Sequence, residues 1–458
     1  MNETDKVHEE CGVFGIYGGE GFHAAADIYY GLMALQHRGQ ESAGMAVTDV
    51  SGAKGNVMTR KGMGLVSEVF SLNALDELKG NIGIGHVRYS TTGSSTAENA
   101  QPISMNYIKG SLALVHNGNI TNAEQIKKEQ MYRGQAHYTT TDSEVIAYEI
   151  ISERIRTGSI EDAVLTTMQK LRGGFSCIVM SPRKLVGVRD PYGIKPLVLG
   201  KKEGAWMLAS ESTAIVAAGG TAVRDICPGE IIVISAKGVE SRQGLRGETS
   251  AHCVFEYIYF ARSDSVIDGI AVHEARFMAG RALARSSSVQ ADLVTGVPDS
   301  GLIAAEGYAM ESGLPFALAF HKNGYIGRSF IKPTDEERKA AVAMKLSVLT
   351  GAVQGKRIVL IDDSIVRGTT MRQIVEMLRA AGATEVHVCI SSPPFLHPCY
   401  YGTDVPSSGE LIATGNSTEE ICARIGADSL SYLRLEDLHL MTGSLPLCTA
   451  CFDGRYPV

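Results

Sequence analysis

Apolar positions fall into two textures along this chain. Up to about residue 235, short β-like runs recur: Cys11–Tyr17, Gly44–Val47, Ile82–Val87, Leu112–Val115, Ser176–Met180 and Glu230–Ile234. Helical patterns interrupt them, as at Ala25–Leu35 and Ser143–Arg156. This mixture predicts an α+β or layered-sheet domain. Ser235–Ser250 is polar and Gly-rich and reads as a linker. From about residue 272 the order becomes helix, strand, helix, strand, which predicts a doubly wound parallel sheet. Strand-like Leu293–Val297 ends in Pro298-Asp299-Ser300-Gly301. Met371, Ile374, Val375 and Leu378 recur at i, i+3, i+4 and i+7, one face of a helix. Gly382 follows as a C-cap, and Glu385–Ile390 as the next strand.

The most informative stretch is Arg357-Ile-Val-Leu-Ile-Asp-Asp-Ser-Ile-Val-Arg-Gly-Thr-Thr370. A strand ends in two neighbouring carboxylates, a turn of Ser, Gly and Thr follows, and the helix of Met371 begins. Backbone amides and hydroxyls at a helix start suit a phosphate monoester. The two acids suit the hydroxyls of a ribose or a magnesium ion. Ligands bind at the carboxyl ends of strands in open α/β sheets. The run therefore points to a phosphorylated ribose.

Composition narrows the class. A chain of 458 residues has room for two or three domains. Its 44% hydrophobic and 20% charged residues are those of a globular protein, and a net charge of −7 argues against bulk affinity for nucleic acid. No stretch of about twenty apolar residues is present, so no transmembrane helix and no membrane partner are expected. The acidic leader Met1–Glu10 is the opposite of a secretory signal, and a cytoplasmic location is expected. Nine cysteines in such a chain suggest thiols or metal ligands, not a disulfide framework.

The run Arg357–Thr370 resembles the phosphoribosyl pyrophosphate (PRPP) motif of the type I phosphoribosyltransferases. The resemblance implies that Asp362 and Asp363 face the ribose hydroxyls and, with Ser300, hold Mg2+. It implies that Ser364, Arg367, Gly368, Thr369 and Thr370 form the 5′-phosphate loop. The charged stretch Lys322–Arg338 then reads as a lid, with Lys322 and Arg328 set against the pyrophosphate. Gly324 and Thr350 stand where that family usually has Arg, and both changes remove positive charge near a polyanion site.

In the first half, Cys11 opens an apolar strand, and by itself it reads as a small packing hydrophobe. Gln36-His37-Arg38-Gly39-Gln40, Gly85–Thr91 and His116-Asn117-Gly118-Asn119-Ile120 are polar clusters, two of them placed directly after strands. Thr141-Asp142-Ser143-Glu144 opens a helix and alone reads as an N-cap. In this order and spacing the segments resemble the glutaminase domain of the N-terminal-nucleophile amidotransferases. The resemblance makes Cys11 the nucleophile, with Asn117 and Gly118 at the oxyanion hole. Arg88 would grip the glutamine α-carboxylate, Asp142 its α-ammonium, and Arg38 and Gly39 would lie beside the nucleophile. A thiol on a chain terminus has its own amine as base, with a pKa near about 8. That amine exists only if Met1–Glu10 is a propeptide cut before Cys11. His86 and His116 then read as structural.

Cys448-x-x-Cys451 alone suits zinc, redox chemistry or chance. The contexts of Cys253, Cys399, Cys448 and Cys451 resemble those in one group of glutamine PRPP amidotransferases, which carries a [4Fe–4S] cluster on four thiolates. Cys177, Cys227, Cys389 and Cys422 read as packing residues.

The resemblance to that family runs from Glu9 to Pro457. It implies an αββα glutaminase domain over 11–235, a linker with a cluster ligand over 236–271, and an α/β phosphoribosyltransferase domain over 272–458. It further implies glutamine-dependent amination of PRPP, inhibition by AMP and GMP, and a homotetramer. Two other readings are weighed. A glucosamine-phosphate synthase shares the first domain but has no use for Ile358–Thr370. A non-catalytic sensor of PRPP has no use for Cys11, Arg88, Asn117 and Asp142 together.

Overall fold

The computed structural model describes residues 11–49, 57–89, 95–245, 249–287, 289–324, 346–403 and 407–458, with 247 and 405. Met1–Glu10, Ser90, Thr91 and Arg328 lie outside the described residues. The first half is two antiparallel sheets face to face. One runs Thr221–Asp225, Val198–Lys202, Ala205–Ala209, Gly12–Gly18, Ile82–Arg88, Ser42–Thr48, Met58–Met63 from edge to edge. The other runs Gly238–Gln243, Glu230–Ser235, Lys184–Arg189, Gly173–Ser181, Gly110–Ile120, Ile103–Tyr107.

Three apolar layers hold this unit together. Val13, Ile84, Val115, Ile178, Leu208 and Ile232 fill the space between the sheets. Helices Ala24–Ala34 and Ser212–Ala217 cover the outer face of the first sheet through Ile28, Leu32 and Ile215. Helices Asp142–Arg156 and Ile160–Met168 cover the second through Ile146, Ile150 and Val164. The inner strands are buried on both faces, which is why their sequences are continuously apolar instead of alternating. The arrangement is the expected αββα stack.

The second half is built on a parallel sheet, Leu293–Gly296, Arg357–Asp362, Glu385–Ile390 and Ser429–Tyr432 in spatial order. Helices Val272–Ser286 and Ser300–Ser312 pack on one face, Thr369–Ala380 and Thr418–Ile425 on the other. Helix Thr369–Ala380 buries Met371, Ile374, Val375 and Leu378, and the chain leaves it through Gly382 at φ +96°. The i, i+3, i+4 reading of that helix holds residue for residue.

Three details differ from the sequence reading. The supposed linker Ser235–Ser250 contains the strand Gly238–Gln243, paired with Glu230–Ser235 in register Glu230↔Gln243. It is an edge strand with partly exposed side chains, so its composition is that of a loop. The clusters at His86 and Asn117 lie inside strands Ile82–Arg88 and Gly110–Ile120, not after them. Buried polar residues end an apolar run without ending the strand. Cys227 is exposed, in the turn where its N–H bonds Glu230, and packs nothing, whereas Cys177 and Cys389 are buried.

Candidate active sites

The first site gathers at the end of strand Gly12–Gly18. Cys11 is half-buried, and its thiol faces the Tyr89 carbonyl at 3.5 Å. Its own carbonyl accepts from Arg38 Nε at 3.3 Å, and Val13, two residues on, is pinned by its N–H to Ser210 Oγ at 2.9 Å. Gly39 lies flat on the neighbouring strand: a Cβ there would stand 2.6 Å from Arg88 N. Only glycine permits that approach, so Gly39 sets the spacing between Cys11 and Arg88. Arg88 is buried, with Nη1 3.0 Å from Glu41 Oε1.

Across the sandwich, strand Gly110–Ile120 carries Asn117 and Gly118. Asn117 is fully buried, and neither atom of its side-chain amide has a hydrogen-bond partner. Among the described residues its amide is thus uncommitted to any protein group. Gly118 has φ +129°, and a Cβ on it would lie 2.1 Å from the Gly174 carbonyl. No other residue fits. Asp142, first residue of its helix, accepts the Ile120 N–H at 3.1 Å and stands 3.4 Å from His116 Nδ1. Burial acts to raise its carboxyl, but His116 and the backbone bonds outweigh burial and hold it below its ordinary value. His86 bonds the His116 carbonyl at 3.0 Å, and burial drops its pKa to about 3, so it is neutral at pH 7.

Arg38 and Gly39 do lie beside Cys11, yet Arg38 has a second engagement. Its guanidinium pairs with Glu211 at 2.6 Å and with Glu256 at 2.5 and 3.0 Å, all with buried side chains. Removing one partner of such a buried set would strand the others in a low dielectric.

The second site is the tip of strand Arg357–Asp362. Asp362 and Asp363 are each 1% exposed. Asp362 Oδ1 accepts the Asp363 N–H at 2.9 Å, which turns the second carboxylate away from the strand. Asp363 accepts the hydroxyls of Ser300 and Ser364, so all three predicted magnesium-site residues meet here. Gly368, at φ +86°, leads into helix Thr369–Ala380, and Arg367 is paired with Glu410 at 2.8 Å. Lys322 ends strand Phe320–Lys322 and forms an ion pair with Asp299, one residue before Ser300. Among the described residues no group of three or more His, Cys, Asp or Glu is disposed to hold a metal ion.

The four cysteines come together although they are far apart in sequence. Cys253 and Cys448 pair across the two-stranded parallel sheet His252–Cys253 and Leu447–Cys448. The N–H groups of Leu396 and His397 bond the Cys451 carbonyl at 3.0 and 3.1 Å, which brings the Cys399 segment alongside. Burial pushes the Cys448 thiol up to about 12, and Cys399 adds to the rise. Burial also raises Cys451, with Cys399, Cys253 and Cys448 acting in the same direction. Among the described residues the four thiols are not disposed as a group that already holds a metal ion. A single zinc would need all four sulfurs at about 2.3 Å from one centre, whereas a cubane takes one thiolate at each iron corner.

Two family models match the chain: a glutamine amidotransferase domain over residues 86–217 and a phosphoribosyl transferase domain over 267–398. The amidophosphoribosyltransferase of Bacillus subtilis is 47% identical over 466 residues, covering 100% of this chain and 96% of that protein. This chain belongs to the amidophosphoribosyltransferase family. The Methanocaldococcus jannaschii member is 45% identical, covering 98% of this chain and 97% of that protein. A solved B. subtilis glutamine PRPP amidotransferase, described as complexed with ADP and GMP, superposes with a TM-score of 0.89 at 45% identity. It covers 98% of this chain and 97% of its own. The chain is an enzyme, glutamine amidotransferase and phosphoribosyltransferase in one.

One turn lies between the two sites, at residues the sequence did not single out. The π-helical turn Glu256–Phe260 takes Arg38 through Glu256. At its other end, burial and the carboxylates of Asp363 and Asp362 raise the Tyr259 hydroxyl. Arg276 fixes the turn, donating to the carbonyls of Tyr257, Tyr259 and Ala261 at 2.7–3.0 Å. Nothing in the hydrophobic pattern marks such a turn. The one available signal was the dense run Phe255-Glu-Tyr-Ile-Tyr-Phe260, too aromatic for a surface loop.

Proposed function

We infer that this chain catalyses the reaction of its family: glutamine, water and PRPP give 5-phosphoribosylamine, glutamate and pyrophosphate, the first committed step of purine synthesis. The observation that carries the reading is one chain holding both a half-buried thiol at the mouth of an αββα sandwich and an acid pair at the tip of a parallel strand. Full-length identity to the family supports it.

In this reading the Cys11 sulfur attacks the glutamine side-chain carbonyl. The S–C bond forms, the C–N bond breaks, ammonia leaves with the thiol proton, and water then cleaves the thioester to glutamate. The α-amine of Cys11 relays the proton once Met1–Glu10 is removed. Asn117 Nδ2 and the Gly118 N–H donate to the oxyanion, and no protein group among the described residues competes for the Asn117 amide. Arg88, held by Glu41, takes the α-carboxylate, and Asp142 takes the α-ammonium. Arg38 and Gly39 place these groups around the thiol.

Ammonia then displaces pyrophosphate at C1 of the ribose. Asp362 and Asp363 bind the ribose hydroxyls and, with Ser300, Mg2+, which neutralises charge on the leaving group. Ser364, Arg367, Gly368, Thr369 and Thr370 hold the 5′-phosphate. Lys322 and Arg328 act on the pyrophosphate. Inhibition by AMP and GMP finds support in the nucleotides named for the B. subtilis structure. A homotetramer in the cytoplasm completes the proposal, and among the described residues no helix is long and apolar enough to cross a membrane. The test is transfer of isotope: glutamine labelled with 15N in the side chain should yield 15N-phosphoribosylamine, with glutamate and pyrophosphate in equal amounts. Glutamate released without pyrophosphate, even with PRPP and Mg2+ present, would refute the reading.

The same reading assigns Cys253, Cys399, Cys448 and Cys451 to a [4Fe–4S] cluster that ties the C-terminal segment to the body. Anaerobically purified protein should be brown and hold about four irons per chain. Cys448→Ser should lose the colour and become sensitive to proteolysis even without oxygen. A colourless, fully active enzyme carrying zinc would exclude the cluster.

A further inference from the structure

The segment after Cys399 leaves its own domain and lies against the strand of Asn117 and Gly118. A Cβ on Gly402 would stand 2.9 Å from the Gly118 carbonyl carbon, 3.0 Å from its Cα and 3.3 Å from Asn119 N. Gly402 is at φ +102°, so it is glycine by conformation as well as by space. The segment is fastened by the two residues just before this contact. Tyr400 offers its carbonyl to Asn119 Nδ2 at 2.9 Å. Tyr401 is 2% exposed, and its hydroxyl exchanges bonds of 3.1 Å with the backbone of Val458. Beside the contact lies a cavity of about 510 Å3, walled by Asn119, Thr141 and Asp142 from one domain and Tyr400 and Tyr401 from the other.

Gly118 therefore has its backbone pressed by two glycines from different domains, Gly174 within the sheet and Gly402 from outside it. Its φ of +129° is open to glycine, and the two neighbours leave its backbone no room for a side chain. We propose that Gly402 and Tyr400 are positioning residues for the oxyanion donors, so that the phosphoribosyl half of the chain sets the geometry of amide cleavage in the glutaminase half. This rests on reading Asn117 and Gly118 as the oxyanion hole. A donor must sit within hydrogen-bond reach of the oxyanion, and a misplacement of about 1 Å costs on the order of 100-fold in rate.

The test uses the full chain with three variants. Gly402→Ala should lower kcat with glutamine about 10- to 100-fold, with KM for glutamine and ammonia-dependent synthesis unchanged and the melting temperature lowered by the strain at φ +102°. Asn119→Ala removes the Tyr400 bond without adding bulk and should give a smaller loss of the same kind. Asn117→Ala checks the oxyanion reading itself. Loss of glutamine use in Asn117→Ala, with wild-type kcat in the other two, overturns the positioning role and leaves the oxyanion hole standing. Wild-type glutamine use in Asn117→Ala overturns both. Equal loss with glutamine and ammonia in Gly402→Ala and Asn119→Ala also overturns it, because a general packing defect does not distinguish nitrogen sources.

Discussion

Cys11→Ala should abolish phosphoribosylamine synthesis from glutamine and leave synthesis from added ammonia near the wild-type rate. Among the described residues the other thiol near the first site is Cys177, paired across the sheet with His116; it is buried, and burial with the neighbouring Asp142 pushes it well above its ordinary value, so it does not stand in for Cys11. Removal of the nucleophile in acyl transfer costs a factor on the order of 10⁶, so residual glutamine turnover should fall below detection. The acceptor site lies on the parallel sheet of the other half and does not contain Cys11. Parallel steady-state rates with the two nitrogen sources decide the matter. Intact mass of the mature enzyme should begin at Cys11, and full glutamine activity in the variant would remove that residue from the mechanism.

Asp362→Asn combined with Asp363→Asn should have the opposite signature, a loss with glutamine and ammonia alike. Asp363 receives two hydroxyls at once, from Ser300 and Ser364, through two carboxylate oxygens. An asparagine offers one acceptor oxygen and presents donors to the other hydroxyl. Two negative charges also disappear where Mg2+ and the ribose must bind. A loss of at least about 1,000-fold is expected, the scale of removing electrostatic stabilisation from a developing charge. Glutamate release without PRPP should persist. Wild-type ammonia-dependent turnover in the double variant would rule out the assignment.

Legibility from sequence followed the kind of force involved. Helix Thr369–Ala380 and strands Arg357–Asp362 and Glu385–Ile390 were readable to within a residue or two, because apolar spacing alone decides them. Strand Gly238–Gln243 was missed because an edge strand owes its place to backbone bonds, which side-chain polarity does not report. At the sites, the place of Asp362 and Asp363 at the tip of a parallel strand was readable from the apolar run before them, whereas Ser300 beside them came only with the family resemblance. Glu211, Glu256, Tyr259 and Gly402 were not, since each acts on a partner more than about 100 residues away and carries no local pattern. Arg38 was placed correctly beside Cys11, but its two glutamates were invisible until both halves were folded together.

Those pairings bear on where such a chain can be cut or recombined. The polar stretch near residue 245 looks like a natural breakpoint for fragments or chimaeras. A piece ending there would keep Arg38 and lose Glu256, and would keep Arg189 and lose Asp268, whose carboxylate takes that guanidinium at 2.7 and 2.9 Å. It would also lose Ser265 and the Arg262 N–H from Glu211. A junction beyond Gly269 keeps every one of these partners on one parent. Grafting a foreign acceptor module onto this glutaminase therefore calls for carrying residues up to about 270 along with it, as part of the donor and not as spacer.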